Sequence, residues 1–299
     1  MNTLITIVGP TAIGKTALSI QLANHFNCEI ISCDSRQFYK EMSIGTAVPN
    51  TNELAAATHH FIQDRSIFED YNVGSFEKDG LHKLDHLFTK NPIQIMVGGS
   101  GLYVDAIVKG LDYFPSVPPE IRNKLNNELD REGIVSLQEQ LKALDIDTFN
   151  TIAIDNPQRL IRALEICIAT GKTYSSFKNK KKAPRNFNVI KIGLNADRQI
   201  IYERINKRVN LMIEEGLLDE VKALYEYKHL NALQTVGYKE LVEYLEGNYS
   251  LDDAIAEIQK NTRRFAKRQL TWFRRDPKII WFDYKTEIEK IILEIKNKV

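Results

Sequence analysis

A segment of eight residues near the N-terminus has the residue types and spacing of a phosphate-binding loop. It follows the pattern G-x-x-x-x-G-K-T and consists of Gly9, Pro10, Thr11, Ala12, Ile13, Gly14, Lys15 and Thr16. Glycines let backbone N–H groups close around an anion, and the N-terminus of a following helix adds partial positive charge. Lys15 would contribute a point charge, and the hydroxyl of Thr16 would bind Mg²⁺. The segment therefore predicts binding of a phosphate or diphosphate, but it does not predict the reaction.

Three further side chains could take part in chemistry beside that loop. Asp34 follows a predicted strand, so it could hold a metal ion, remove a proton as a general base or cap a turn. Arg204 and Arg208 lie one turn apart in a predicted helix, and they could clamp a diphosphate opposite Lys15 or form surface salt bridges. A second glycine-rich turn, at 98–101, also follows a strand, which is where open α/β sheets bind ligands. The residues alone leave these alternatives open.

Composition limits the class of protein. The chain has 299 residues, of which 43% are hydrophobic and 26% charged, as expected for a globular protein with a core. It has no apparent signal peptide and no apolar run long enough to span a membrane. Its three cysteines lack C-x-x-C spacing, and His59 and His60 lack further metal-binding residues at ligand spacing. We therefore expect a cytoplasmic protein without a disulfide framework or a zinc site.

Alternating strand and helix patterns predict the fold that must position these residues. Apolar, β-branched runs predict strands over 4–8, 29–34, 92–97 and 189–194. Apolar residues at helical spacing predict helices over 17–26, 74–87, 102–108 and 198–215. Ser75 is a candidate N-cap of the second of these helices. The alternation predicts an α/β protein whose parallel sheet is flanked by helices, similar to P-loop NTPases.

The alternation is interrupted in the middle of the chain. There the pattern predicts helices without strands, over 120–131, over 136–144 and from Asn156 to Gly171. Ser136 is a candidate cap of the second helix, Asn156 followed by proline is typical of a helix start, and Gly171 is typical of a helix end. We therefore predict an all-helical insertion domain at 112–187, within a core domain formed by 1–111 and 188–299.

Basic residues are concentrated in two segments although the formal net charge is only +1. The first contains no acidic residue and consists of Lys260, Arg263, Arg264, Lys267, Arg268, Arg274 and Arg275. The second consists of Lys178, Lys180, Lys181, Lys182 and Arg185. The pattern indicates either a surface that binds a polyanion or two solvated surfaces. In the helix predicted over 251–273, the packed side is expected to carry Ile258, Phe265, Gln269 and Phe273.

Eight segments together resemble the tRNA dimethylallyltransferase family, also called tRNA isopentenyl transferases. In the order that the family has them, they are 9–16, 32–39, 44–47, 59–62, 98–103, 156–165, 234–238 and 263–274. They span the chain nearly from end to end. Val48 stands where the family usually has lysine, and Gln63 stands where it usually has aspartate. The sequence lacks the zinc-finger extension of eukaryotic members, so the resemblance implies a bacterial-type enzyme.

The resemblance implies transfer of a dimethylallyl group from dimethylallyl diphosphate to tRNA. The acceptor would be the exocyclic amine of the adenosine just 3′ of the anticodon, and diphosphate would leave with the help of Mg²⁺ at Thr16. Asp34 would be the general base, and Arg208 would help to neutralise the diphosphate. Contacts with the anticodon stem-loop are implied for Asp34, Ser35, Arg36, Gln37, Ser100, Arg122, Gln158, Arg159, Leu160, Ile161 and Arg162. A monomer is expected.

Three other functions share some of these residues. A nucleotide kinase would share the loop and the arginine pair, but it would leave the helical insertion and the basic C-terminal helix unexplained. An adenylate isopentenyltransferase would modify a free nucleotide, and the segment 156–165 and the basic helix argue against it. An RNA-binding ATPase would use the loop without prenyl transfer. The substrate consumed, whether tRNA, AMP or ATP, distinguishes these functions.

Overall fold

A computed structural model describes residues 1–178 and 184–299, which form two compact units. The first unit combines Met1–Lys109 with Pro184–Val299, and the second is the intervening segment, Gly110–Ala183. Three lysines of the second basic segment, Lys180, Lys181 and Lys182, lie outside the described residues. Every helix in the described part of the chain is too short or too polar to cross a membrane.

The first unit contains a six-stranded parallel sheet. Its strands are β1 (Thr3–Val8), β2 (Ile30–Ser32), β3 (His59–His60), β4 (Ile93–Val97), β5 (Asn188–Asn195) and β6 (Ile279–Asp283). They lie side by side in the order β3-β2-β4-β1-β5-β6. Ile5 of β1 is paired with Ile95 on one side and with Ile190 on the other. The predicted α/β fold with a parallel sheet is confirmed, and the carboxyl ends of β1, β2 and β4 lie together at one edge.

Helices cover both faces of this sheet and make up most of the second unit. In the first unit they are α1 (Lys15–Phe26), α2 (Thr51–Ala56), α3 (Val73–Phe88) and α4 (Gly101–Lys109). The second unit contains α5 (Pro119–Glu132), α6 (Ile134–Leu144), α7 (Ile146–Thr151) and α8 (Pro157–Thr170). After β5 the first unit continues with α9 (Arg198–Glu214), α10 (Leu217–Ala223), α11 (Tyr238–Leu245), α12 (Leu251–Phe273) and α13 (Ile288–Lys296).

Alternate residues of β1 enter two different hydrophobic cores. Ile5 and Ile7 pack with residues of α1, α9 and α13 on one face of the sheet. Leu4 and Val8 pack with Phe76 of α3 and its neighbours on the other face. All six residues of β1 are buried. A strand covered on both faces reads as a continuous apolar run, which is why the sequence around the phosphate-binding loop is so easily recognised as a strand.

The second unit is a small helical domain with its own core. Leu125, Leu137, Leu141 and Leu164 are buried together between α5, α6 and α8. The start of α8 is as predicted, since the Asn156 side chain accepts a hydrogen bond from the Arg159 N–H at 3.1 Å and proline is the first helical residue.

Two predicted helix starts differ from the structure. The N-cap of α3 is Asn72 rather than Ser75, and the Asn72 carboxamide oxygen accepts hydrogen bonds from the N–H groups of Gly74 and Ser75. Helix α6 begins at Ile134, so Ser136 lies inside it and donates its hydroxyl hydrogen to Glu128 at 2.6 Å. In both cases the N-cap lies three residues before the serine that the sequence pattern indicates.

The C-terminal part of the first unit also contains features that the sequence pattern did not predict. Strand β6 and helix α13 complete the sheet edge beside β5. On α12, Phe265 was predicted to be packed, but 37% of its surface is exposed, whereas Ala266 is buried. By helical spacing Phe265 still lies on the same side of α12 as Ile258 and Gln269, and it is partly exposed because this part of the helix lines a cavity.

Candidate active site

The phosphate-binding loop joins the end of β1 to the start of α1, as its sequence predicts. Strand β1 ends at Val8, and α1 begins at Lys15. Gly14 has φ of 107°, in the left-handed region that L-residues with a side chain rarely adopt. A glycine at this position therefore lets the chain turn sharply enough to direct the first N–H groups of α1 into the loop.

Three cationic side chains contact this loop. Lys15 Nζ donates a hydrogen bond to the Pro10 carbonyl oxygen at 2.8 Å, and Arg204 Nε donates to the Ala12 carbonyl oxygen at 2.7 Å. Arg208 Nη1 lies 3.4 Å from the hydroxyl oxygen of Thr11. Arg204 and Arg208 thus reach the loop from α9, where their spacing of four residues places both on one side of the helix. The loop is surrounded by positive charge suited to a bound diphosphate.

Burial lowers the pKa of two of these cations. The pKa of Lys15 is lowered to about 8, chiefly because its ammonium group is buried, while Asp34 partly offsets this shift and Arg208 adds to it. The pKa of Arg208 is also lowered, first by burial and then by the neighbouring Arg204. An anionic ligand would relieve both effects, so this cluster is electrostatically prepared for a negatively charged group.

Asp34 lies two residues beyond the end of β2, at the same edge of the sheet as the loop. Its carboxylate oxygen Oδ1 accepts a hydrogen bond from the Arg36 backbone N–H at 3.1 Å. Its own N–H is 3.4 Å from the Ser32 hydroxyl oxygen. The side chain is half-buried and opens into a cavity that Thr11 and Arg208 also line. The carboxylate is therefore accessible to a ligand that occupies the diphosphate loop.

Ser35 and Arg36, the two residues after Asp34, are held by two different parts of the first unit. Ser35 donates its N–H to the hydroxyl oxygen of Ser100 at 3.3 Å, and the two hydroxyl oxygens are 3.2 Å apart. The guanidinium group of Arg36 donates to the carbonyl oxygens of Asn231 and Ala232 at 2.8 and 3.1 Å. These contacts bring Ser35, Arg36 and Ser100, all expected tRNA contacts, to the same cavity.

Gln37 is fixed by the loop that carries Thr46 and Ala47. Its Nε2 group donates to the carbonyl oxygens of both residues, at 3.1 and 2.8 Å. Its side-chain oxygen accepts a hydrogen bond from Ser32 at 3.3 Å. The whole carboxamide is thus used inside the protein, which gives Gln37 a role in shaping the cavity wall.

The cavity at this edge of the sheet has a volume of about 890 Å³. Its lining includes the polar side chains of Thr11, Asp34 and Arg208. Apolar side chains also line it, namely those of Val209, Met212, Leu217, Val236, Ile258, Phe265 and Trp272. A ligand with a charged end and a short hydrocarbon group would match such a mixed lining.

Two residues that sequence reasoning did not assign to the site organise it. Gln269 is only 5% exposed and bridges the phosphate-binding loop to the turn at Gly99. Glu220 of α10 accepts hydrogen bonds from the backbone N–H groups of Ser43, Ile44 and Gly45 at 2.8–3.1 Å, and from the hydroxyl of Tyr238 at 2.6 Å.

The two positions that depart from the family pattern are accommodated by local contacts in the loop region. Gln63 Nε2 donates to the Ser43 hydroxyl oxygen at 2.6 Å and to the Lys40 carbonyl oxygen at 3.2 Å. The Val48 N–H donates to the Ser43 carbonyl oxygen at 3.2 Å. Gln63 therefore holds the loop with an uncharged side chain.

His60 nearby pairs with Glu29 at 2.7 Å and His59 bonds to a backbone carbonyl, so both have structural contacts.

The second unit has a separate cleft of about 570 Å³ with basic walls. It is lined by Arg122, Thr151, Ile152, Asn156, Gln158, Arg159, Arg162 and Tyr174. Two of these arginines are oriented by Glu165, whose side chain is only 2% exposed; Arg122 Nε and Nη2 donate to its oxygens at 2.7 and 2.9 Å, and Arg162 pairs with it too. Burial alone would raise the pKa of Glu165, but the two arginines outweigh burial and lower it. The carboxylate therefore stays charged and fixes both guanidinium groups.

Two expected tRNA contacts are not at the surface of this unit. The side chains of Leu160 and Ile161 are 0% and 4% exposed and belong to its hydrophobic core. Gln158 and Arg159 are exposed, and Arg162 is half-buried at the cleft. The segment 158–162 thus alternates packed and accessible positions as a helix does, so Leu160 and Ile161 act by packing α8 rather than by side-chain contact with RNA.

A family model described as IPP transferase matches residues 37–276, which is most of the chain. The chain belongs to the IPP transferase family. The family resemblance that its motifs indicate is thereby confirmed. A protein of Flavobacterium psychrophilum named tRNA dimethylallyltransferase is 59% identical over 305 residues, which cover 100% of this chain and 99% of that protein. A protein of Bacteroides thetaiotaomicron named tRNA dimethylallyltransferase 1 is 45% identical, over 97% of this chain and 94% of that protein.

Solved structures of IPP transferases and related enzymes have the same fold. The full-length tRNA isopentenylpyrophosphate transferase of Bacillus halodurans is 37% identical, with a TM-score of 0.73, over 99% of this chain and 95% of that chain. A eukaryotic dimethylallyltransferase, described as acting on tRNA, is 28% identical, with a TM-score of 0.82, over 99% of this chain and 79% of that chain. The likeness therefore extends over both units of this family member.

Proposed function

We propose that this chain transfers a dimethylallyl group from dimethylallyl diphosphate to certain tRNAs. The acceptor is the exocyclic amine of the adenosine on the 3′ side of the anticodon, and diphosphate is released. The observation that carries the proposal is one cavity that is lined by Thr11 of the phosphate-binding loop, by Arg208 and Asp34, and by apolar side chains. Full-length relatives named tRNA dimethylallyltransferase support the same activity.

The diphosphate end of the substrate is assigned to the loop between β1 and α1. Transfer breaks the bond between the allylic carbon and the diphosphate oxygen, and the bonding electron pair leaves with the diphosphate. Lys15 and Arg208 are positioned to stabilise this added charge, and both are partly desolvated, which strengthens their interaction with an anion. The apolar residues of the same cavity, such as Val209 and Met212, would accept the dimethylallyl group.

Asp34 is assigned as the proton acceptor. As the amine nitrogen of adenosine forms its bond to the allylic carbon, it must lose one proton. The Asp34 carboxylate is accessible from the cavity and is held by the Arg36 N–H, so it can accept that proton without a large movement. Its charge also stabilises the protonated form of Lys15, which favours diphosphate binding. One carboxylate thus serves both halves of the reaction.

Mg²⁺ is the cofactor that the proposal includes, with Thr16 as its protein ligand. The hydroxyl of Thr16 lies at the start of α1, next to the loop that would hold the diphosphate. Among the described residues, no group of three or more His, Cys, Asp or Glu side chains could hold a metal ion. A site with the Thr16 hydroxyl as its protein ligand fits Mg²⁺, which is commonly bound by substrate phosphates, water and few protein ligands. When bound, the ion would neutralise charge on the leaving diphosphate.

The tRNA is assigned to polar residues in both units. In the first unit these are Ser35, Arg36 and Ser100 beside the cavity, together with the exposed basic side of α12, while Gln37 supports the cavity wall through Thr46 and Ala47. In the second unit they are Arg122, Gln158, Arg159 and Arg162 around the basic cleft. The target adenosine must leave its stack to enter the cavity, at a cost of about a few kcal/mol, which phosphate contacts can offset. Because tRNA is the substrate, we place the reaction in the cytoplasm. We also propose that the chain acts as a monomer.

A transfer assay with labelled substrate tests the proposal. The protein is incubated with Mg²⁺, radiolabelled dimethylallyl diphosphate and an unmodified anticodon stem-loop RNA that has adenosine 3′ of the anticodon. The matched control RNA has guanosine at that one position. We expect label in the first RNA and none in the control or in AMP. Label in AMP, or consumption of ATP without labelled RNA, would contradict the proposal and favour a nucleotide prenyltransferase or a kinase.

A further inference from the structure

Gln269 is a buried side chain that connects the two glycine-rich segments of the candidate active site. Its oxygen Oε1 accepts a hydrogen bond from the Thr11 backbone N–H at 2.8 Å. Its Nε2 group donates to the Gly99 carbonyl oxygen at 3.0 Å. The two bonds span sequence separations of 258 and 170 residues, so they join parts of the chain that are distant in sequence.

The packing around Gln269 leaves little freedom for this bridge to shift. A Cβ atom built on Gly99 would collide with the Gln269 carboxamide, and one built on Gly101 would collide with the ring of Trp272. Helix α12 therefore lies directly against the turn at 99–101. Trp272 is fixed in turn by a hydrogen bond from its Nε1 group to Asp105 at 3.2 Å. The glycines of the second turn allow this close approach of helix and backbone.

The contacts continue from each end of Gln269 to the groups that carry the chemistry. On one side, the Thr11 hydroxyl oxygen lies 3.4 Å from Arg208. On the other side, Ser100 follows Gly99 and contacts the N–H and hydroxyl of Ser35 at 3.3 and 3.2 Å. Ser35 is the residue after Asp34. One carboxamide thus stands between the diphosphate loop and the segment that carries the proton acceptor.

We propose that Gln269 is a positioning residue that fixes the distance and orientation between the diphosphate loop and the Asp34 segment. This inference rests on the proposed function, because the leaving group and the acceptor amine must be aligned at the same allylic carbon. In a displacement at carbon, small errors in alignment greatly reduce the rate, so a rigid connection between the two segments contributes directly to turnover.

The chemistry of the carboxamide explains why glutamine suits this position. One end must accept a hydrogen bond from an N–H, and the other must donate to a carbonyl oxygen. Glutamate has the same length but, when ionised, can only accept, so it would face the Gly99 carbonyl oxygen with a negative charge. Leucine has similar volume and can neither donate nor accept. Both substitutions leave a buried backbone group of the site without its partner.

Two variants and one matched control test the role. Q269L and Q269E break the bridge, whereas Q259L removes a glutamine of the same helix whose Nε2 group bonds to Asn210 at 2.9 Å. Folding is checked first by thermal melting. We expect single-turnover transfer to fall about 10- to 100-fold in both Gln269 variants, with the Kd for stem-loop RNA unchanged. Q259L is expected to match the wild-type protein in both measurements.

The pH dependence of Q269E adds a measurement that a loss of general stability would not reproduce. A protonated glutamate side chain can again donate to the Gly99 carbonyl oxygen, so lowering the pH should restore part of the bridge. We expect the ratio of the Q269E rate to the Q269L rate to rise as pH falls. A constant ratio would contradict the hydrogen-bonding role, because the two variants would then differ only in packing.

A double-mutant cycle with Ser100 tests whether the connection runs toward Asp34. S100A removes the hydroxyl that contacts Ser35, so it should reduce the single-turnover rate at saturating RNA. If Gln269 acts through the same turn, S100A combined with Q269L should be little slower than Q269L alone. Effects that simply multiply would overturn the proposal, since they would show that the two residues act independently.

Binding of magnesium pyrophosphate separates this inference from the proposed function. We expect Q269L to weaken pyrophosphate binding about 10-fold, because the loop loses its Thr11 anchor, while Q259L binds normally. Absence of transfer by the wild-type protein would refute the proposed function, yet the pyrophosphate measurement would still test the anchor. Wild-type affinity in Q269L, together with wild-type turnover where transfer occurs, would overturn the role of Gln269.

Discussion

Replacing Asp34 with asparagine is expected to lower the pH above which the chain loses affinity for diphosphate. The pKa of Lys15 is about 8, a balance of burial, which lowers it, and the Asp34 charge, which raises it. Removing the carboxylate leaves burial and Arg208, which both lower the pKa. Lys15 in D34N therefore loses its proton at a lower pH, although the substitution leaves the loop itself unchanged.

The magnitude follows from the protonated fraction of Lys15. In the wild-type protein about half of the lysine is charged at pH 8, about a tenth at pH 9 and about a hundredth at pH 10. An unperturbed lysine, with a pKa of about 10.4, would be almost fully charged over the same range. Affinity that depends on the ammonium group is therefore fully present below pH 7 and is lost as pH rises through about 8. The midpoint of that loss moves downward in D34N.

Calorimetric titration of magnesium pyrophosphate between pH 6.5 and 9.5 measures this midpoint. The ratio of the variant Kd to the wild-type Kd is taken at each pH, since titration of the ligand itself then cancels. R208Q serves as the opposite test: it binds more weakly overall, but its midpoint should move upward because a cation that lowers the Lys15 pKa is gone. A D34N midpoint equal to or above the wild-type value would refute the reasoning, and so would wild-type affinity that is constant to pH 9.5.

Three further predictions concern the base, a loop anchor and the basic cleft. D34N should bind stem-loop RNA normally while single-turnover transfer falls about 10²- to 10⁴-fold; unchanged transfer would exclude Asp34 as the general base. E220A should lower the free energy of unfolding by about 3–5 kcal/mol in urea titrations, because it deprives three backbone N–H groups and a tyrosine hydroxyl of their acceptor, whereas E226A, at an exposed site, should have little effect. R159A should reduce the slope of log K against log salt for RNA binding by about one, and an equal change in R131A, outside the cleft, would count against a specific contact.

The phosphate-binding loop could be predicted from sequence because its geometry depends on neighbouring residues. A buried strand, a glycine that permits the turn at Gly14 and a helix follow each other within about twenty residues. The arginine pair on α9 was predicted for a similar reason, since a spacing of four residues places both side chains on one side of a helix. Only the contact with the loop required the three-dimensional structure.

The organising residues could not be predicted because their partners are backbone groups far away in sequence. Gln269 has the spacing of a packed position on α12, and nothing in its sequence neighbours indicates a bond to Thr11. Glu220 lies in a short helix with ordinary composition, yet its carboxylate accepts hydrogen bonds from three N–H groups of a loop about 175 residues earlier. Backbone donors and acceptors leave no signature in residue type, so only the structure reveals such anchors.

The structure also distinguishes the expected tRNA contacts that are exposed from residues of the same segment that are buried. The segment 158–162 was expected as a whole to contact tRNA, but helical periodicity places Leu160 and Ile161 in the core of the second unit. The exposed members, Gln158 and Arg159, keep the proposed role. Strand β6 and helix α13 show a different limit: a five-residue strand close to the C-terminus is specified mainly by its pairing with β5.

The stoichiometry of pyrophosphate released and RNA modified tests the central claim most directly. A single reaction with Mg²⁺, dimethylallyl diphosphate and unmodified stem-loop RNA is analysed for both products, pyrophosphate by an enzyme-coupled assay and RNA by mass spectrometry with fragmentation. We expect one pyrophosphate for each RNA modified, with the dimethylallyl group only on the adenosine 3′ of the anticodon. Pyrophosphate released without modified RNA, or the group on another nucleotide, would contradict that claim.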